Sequence, residues 1–132
     1  MQVDFAFLCD AATESGGKLY ALGVGIDRLQ VTELPARQGR ITVVVRLSFD
    51  AFEQGDRGFA IRVVGADGHA LAGPIAGAIP VALPPGRAAA KANLLVELLS
   101  LEFTAAGPHE VTLAIDGEQA VSLPLEVAIA RA

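Results

Sequence analysis

The 132 residues contain no tryptophan, one cysteine, one methionine and one tyrosine, and only two histidines. The single cysteine, Cys9, excludes an intramolecular disulfide. His69 and His109 lie far apart and form no metal-ligand spacing with it, so no cofactor is expected. The ten basic residues are spread from Lys18 to Arg131 without three in a row, and the net charge is −5. Binding nucleic acid through counterion release needs a clustered basic footprint, so nucleic acid is not expected as a partner. Glu, Lys, Pro or Gly interrupts every apolar stretch well before 18 residues, which leaves no candidate membrane span. The opening Met1-Gln-Val-Asp-Phe-Ala-Phe-Leu lacks the basic region and long apolar run of a secretion signal. The chain is therefore read as cytoplasmic.

What is abundant is small and apolar. Hydrophobic residues are 52% of the chain and aromatics 5%, so the core must be built from Val, Leu, Ile and Ala with a few Phe. A chain of this length fits one domain, residues 1–132, and removes roughly two-thirds of its unfolded surface from water. Abundant Ala and eight Arg against two Lys suggest a GC-rich bacterial source.

The apolar residues alternate. Val3, Phe5, Phe7 and Cys9 form one row and Asp4, Ala6, Leu8 and Asp10 the other, the period of a strand with the first row inward. Glu14 to Lys18 supply a turn, and Leu19 to Val31 resumes the strand pattern. Arg40 to Phe49 is the clearest strand, with Ile41, Val43, Val45, Leu47 and Phe49 on one face. Asp67-Gly68 and Asp116-Gly117 are hairpin turns between apolar alternations. Pro80, Pro84 and Pro85 exclude a helix and fit an edge strand followed by a loop. Residues 88–103 fit either an amphipathic helix or a partly buried strand, and the surrounding strands favour the latter. About eight or nine strands at this spacing predict an all-β fold, an antiparallel β-sandwich of immunoglobulin-like or C2-like type.

Met1 to Asp10, with Gly16-Gly17-Lys18-Leu19 and Gly23-Val24-Gly25-Ile26, resembles a family of small uncharacterised bacterial proteins. Glu53-Gln54-Gly55, Ala66-Asp67-Gly68 and the stretch from Phe103 to Gly107 extend the resemblance. It implies a β-sandwich without an assigned activity. Where the similar pattern has an aromatic soon after the Gly, this chain has Pro108-His109, so a tyrosine-corner hydrogen bond is not carried over.

The stretch FLCDAATESGGKLYALGVGID invites two phosphate-site readings, and both fail on spacing. A P-loop needs Ser or Thr after Gly-Lys, where Leu19 stands. A dinucleotide fingerprint needs a third Gly at position 28, where Arg28 stands. Cys9 reads as a small buried hydrophobe without a basic neighbour in sequence to activate it. A Cys9-His109 dyad is the weaker alternative site. Asp50, Glu53 and Asp56 cluster in one loop as weak calcium candidates, but without EF-hand order. The leading expectation is a non-enzymatic protein-binding or structural module, with itself or another protein as partner, through an exposed Gln119 to Ile129 edge. The competing expectation is a small-ligand or calcium-binding sandwich, or a hydrolase with a loop-borne site.

Overall fold

The computed structural model describes residues 1–130, so Arg131, the last basic residue, lies outside the described residues. The alternating stretches form ten strands: β1 Gln2–Cys9, β2 Ala11–Ser15, β3 Lys18–Leu22, β4 Arg28–Val31, β5 Ala36–Phe49, β6 Gly55–Val64, β7 Ala70–Val81, β8 Ala90–Phe103, β9 Gly107–Ile115 and β10 Glu118–Ile129. The only helical piece among the described residues is a single 3-10 turn, Ala51–Glu53. A three-stranded sheet has the order β1-β5-β8, a five-stranded sheet the order β4-β10-β9-β6-β7, and β2-β3 stands as a separate hairpin. Ile41, Val43, Val45 and Leu47 of the smaller sheet meet Ile61, Val63, Val111, Leu113 and Leu125 of the larger one in one apolar cluster. That burial is the main stabilising term of the fold.

The all-β class expected from the sequence is what forms, but the details differ from the expected sandwich. The described residues form ten strands rather than eight or nine, with Ala11–Ser15 paired to Lys18–Leu22. The larger sheet is mixed: Arg28–Val31 runs parallel to Glu126–Ile129. Parallel neighbours need a long connection, and the remaining strands of the chain provide it. The expected edge for augmentation is closed only in part: residues 119–129 fall in β10, which pairs with β9 from Glu118 to Val127 and with the short β4 only from Glu126 to Ile129. The edge beyond β6 is β7, where Pro74 and Pro80 have no ladder donor to lose.

Residues 88–103 resolve in favour of the strand. Ala90–Phe103 pairs with β5 from Phe49 back to Ala36, and this long ladder overrides the helix-favouring composition. In β8 the buried row runs through Leu94 and Leu98 and resumes at Leu101 and Phe103. The change of phase falls at Ser100, whose φ is 54°.

Val3 packs on the core as expected, but from Phe5 onward the facing of β1 is the reverse of the expected one. A register shift between Val3 and Phe5 inserts one residue, and a one-residue slip moves each later side chain to the opposite face. Ala6 and Leu8 therefore pack on the core, while Phe5 and Phe7 stack on the outer face with ring centroids 5.9 Å apart. The Gly16-Gly17 pair, at φ 59° and 77°, is the tight turn of the β2-β3 hairpin, a backbone that glycine adopts without strain. At Gly23, φ 67°, a Cβ would collide with the Asp10 carboxylate.

Candidate ligand site beside His109

In β9, His109 continues the inward row Val111, Leu113, Ile115 and is 3% exposed. The core row thus ends on an imidazole. Its ring meets Phe103 edge to face, centroids 5.2 Å apart at 82°. Nδ1 lies 2.9 Å from the Gly107 carbonyl; a carbonyl only accepts, so Nδ1 carries the proton and donates it there. In the neutral ring Nε2 then holds a lone pair. No hydrogen bond to Nε2 is present among the described residues, and Thr42 Oγ1 is the sole sealed side-chain polar atom there without a partner.

Nε2 is left open because β6 stops at Val64, opposite Glu110. The next residue, Gly65, has no side chain to cover the ring, whose Cδ2–Nε2 edge faces it. A cavity of about 300 Å³ lies there, bounded by Val64, Gly65, Ala66, Pro108, His109 and Glu110. Ligand pockets begin at about this volume.

Asp67 stands on the same side of Gly65. Its Oδ1 accepts from the His69 backbone N–H at 3.0 Å, and Oδ2 lies 2.9 Å from His69 Nδ1. The His69 backbone N–H, followed by its side chain, holds the Asp67 carboxyl below its ordinary range. His69 itself is exposed to solvent.

The other residues singled out from sequence are placed elsewhere. Cys9 is fully buried but outside the main core cluster, opposite Thr42 on the outer face of the smaller sheet, with Sγ 3.5 Å from the Ala11 carbonyl. Burial, and next the charge of Asp10, push its thiol up, away from the thiolate that a nucleophile needs. Cys9 and His109 belong to different sheets, and no hydrogen bond joins them among the described residues. Asp50 and Glu53 form a capping box: Asp50 accepts from Phe52 N at 2.9 Å and Glu53 from Asp50 N at 3.2 Å. Glu53 also accepts from the Met1 amino group at 2.7 Å. Asp56 is exposed on β6, and no group of three or more metal-ligating side chains occurs among the described residues.

A polar network had no signal in the sequence. Asp4, in the irregularity of β1, accepts from Ser48 Oγ at 2.8 Å and from Lys91 Nζ at 2.8 Å. Lys91 also donates to Ser48 Oγ. Arg46 lies 3.7 Å from Asp4 and donates to Asn93 Oδ1 at 3.0 Å, and Asn93 donates to Glu14 at 2.6 Å. Only strand register gathers residues so scattered along the chain. Lys91, foremost, and then Ser48 hold the Asp4 carboxyl below its ordinary value. A hydroxyl beside a lysine has the outline of an activated nucleophile. Paired with Asp4 and half-exposed, however, Lys91 acts as a donor rather than as a base.

No curated protein matches the chain. Among solved structures it is similar to that of Pseudomonas fluorescens alkylpurine DNA glycosylase AlkC bound to DNA containing an abasic site analog. Identity is 20%, coverage 77% of this chain and 28% of that chain, and the TM-score 0.45. The chain thus spans little more than a quarter of that protein's length, and a likeness at this level carries no argument about activity. A protein partner with nucleic acid set aside is not upheld when the similar structure is of a DNA-bound protein. Residues 4–128 match a family of unknown function, DUF6941, and the chain belongs to that family.

Proposed function

We propose that this chain is a non-enzymatic module that binds a small ligand in the cavity beside His109. The observation that carries the reading is a nearly fully buried imidazole with one nitrogen committed to the Gly107 carbonyl and the other open to a cavity of about 300 Å³. Burying an imidazole at the end of an apolar row costs desolvation, which a ligand donating to Nε2 would offset. A non-enzymatic role rests on the chemistry around it: Nε2 has no hydroxyl or thiol bonded to it as a nucleophile, and the Ser48 hydroxyl is held by an ion pair. The scaffold reading is a sandwich of the three- and five-stranded sheets, of immunoglobulin-like or C2-like type. Composition supports a bacterial, cytoplasmic setting.

The test is a fragment screen followed by amide NMR. Binding fragments should shift Gly65, Ala66, His109 and Glu110 first, and Gly65→Val, which fills the mouth, should abolish those shifts without unfolding the protein. A panel whose hits all map elsewhere would refute the site.

A further inference from the structure

The cavity beside His109 opens where a ladder runs out of donors. Asp116 N donates to the Gly58 carbonyl at 2.8 Å, which sets the phase of the β6-β9 pairing: every second pair exchanges both backbone bonds, down to Val64 with Glu110. The next such pair would be Ala66 with Pro108. Proline has no N–H to give, and the pairing ends one step short of it. On its other side Pro108 lies opposite Glu126, but the Glu126 N–H is spent on the Asp27 carbonyl. The Pro108 carbonyl is therefore left on the vacated side of β9, without a backbone partner among the described residues. With His109 Nε2 it gives the lining two open acceptors. Donors are scarce there. The Gly65 N–H is bonded to the His69 carbonyl at 2.9 Å and the Gly68 N–H to the Gly65 carbonyl at 3.0 Å, and Glu110 gives its own to Val64. Among the described lining residues, Ala66 alone keeps an N–H without a backbone partner.

The lining holds no cation, and its one carboxylate, Glu110, stands in the exposed row of β9 that alternates with inward His109. The rest of the wall is largely aliphatic, from Val64, Ala66 and the ring of Pro108. An anion would face two acceptors with no positive group to answer it. A cation would leave water without an inward-facing charge to pair with. We infer that the cavity takes a neutral ligand whose polar edge is a donor, an N–H or O–H carried on an apolar body of the indole or phenol kind. The donor rests on His109 Nε2, and the body lies against Val64, Ala66 and Pro108. This rests on the ligand-binding reading of the preceding section and names its ligand class. Such a group satisfies the desolvated nitrogen without bringing in a charge that must itself be compensated.

The experiment titrates the intact protein with paired probes that differ in the donor: indole against N-methylindole, and phenol against anisole. Ethylammonium and acetate serve as charged controls at matched ionic strength. The His109 ring nitrogens are followed by long-range ¹H–¹⁵N NMR, together with the amides of Gly65, Ala66 and Glu110. Indole and phenol should shift Nε2 saturably and leave Nδ1 on its Gly107 bond. Each should bind about tenfold tighter than its methylated counterpart, the order expected for one hydrogen bond to a desolvated acceptor. His109→Phe, which keeps a ring but removes Nε2, should bring each pair to equal affinity, and the comparison within the unaltered protein stands whether or not that variant folds. A preference for indole and phenol that survives His109→Phe would place the donor elsewhere and overturn the inference. Equal binding of the methylated probes to the unaltered protein, or tighter binding of ethylammonium or acetate, would overturn the ligand class while leaving the cavity as a ligand site. If no probe and no fragment moves Nε2 or these amides, the ligand-binding reading falls as well.

Discussion

Thr42 is the residue whose chemistry fits its surroundings least. It is buried on the outer face of β5, opposite Cys9, and its hydroxyl finds no partner. A buried unsatisfied hydroxyl costs roughly 1–3 kcal/mol. Thr42→Val should therefore raise stability by about 1 kcal/mol, a gain of several degrees in Tm for a domain of this size, measured by thermal unfolding. Cys9, next to it, should stay unmodified by a thiol reagent at neutral pH until the protein unfolds, because burial raises its pKa. Quick labelling of the folded chain would show that the hairpin side of the sheet is open. In the core, Val45 is fully buried, and Val45→Asp should cost more than about 3 kcal/mol, since an uncompensated carboxylate would lie between the two sheets.

At the scale of elements, the network around Asp4 joins β1, β2, β5 and β8 through side chains alone. Its contribution has a definite pH sign. The Asp4 carboxyl is held below its usual value of 3.8, so the stabilisation is present above that value and is lost as pH falls through the depressed one. Asp4→Asn should lower stability near neutrality and flatten the acid side of the unfolding profile, read as Tm against pH. An unchanged profile would mean that the network is solvated at no net gain, the common fate of surface ion pairs. The alternation of Ile41 to Phe49 and the two Asp-Gly turns were readable because a strand's facing and a tight turn are local properties. The facing of β1 was not, since one inserted residue near Asp4 reverses it and nothing in Val3-Asp4-Phe5 announces a register shift. Residues 90–103 were ambiguous for a related reason: Leu-rich sequence favours a helix until a partner strand of matching length is present.

At the scale of the molecule, strands make up 72% of the described residues, and circular dichroism should show a strand-dominated spectrum; an α-helical signal near the ordinary globular share of about one-third would contradict the fold. Fold class and most strands were legible in the sequence, but the arrangement was not. Which strand is central depends on pairings across the full chain, and nothing in residues 119–129 announces that their last four would pair with β4, about a hundred residues earlier. The candidate site was half legible. His109 is in phase with Val111, Leu113 and Ile115, which marks a polar residue in a core row. The space opposite it depends on where β6 ends, and that only the fold reveals.

The parallel pairing of β4 with β10 also sets an order on how the molecule comes into being. The two partners are about a hundred residues apart, and contacts this distant are slow to form because a long loop must close first. During synthesis β10 emerges after the other strands of its sheet, yet it belongs in the middle, with β4 on one side and β9 on the other. Until it arrives, β4 has no neighbour and one side of β9 stays open. The nascent chain therefore carries an unfinished sheet with two exposed strands, and the stage most open to mispairing is the last one.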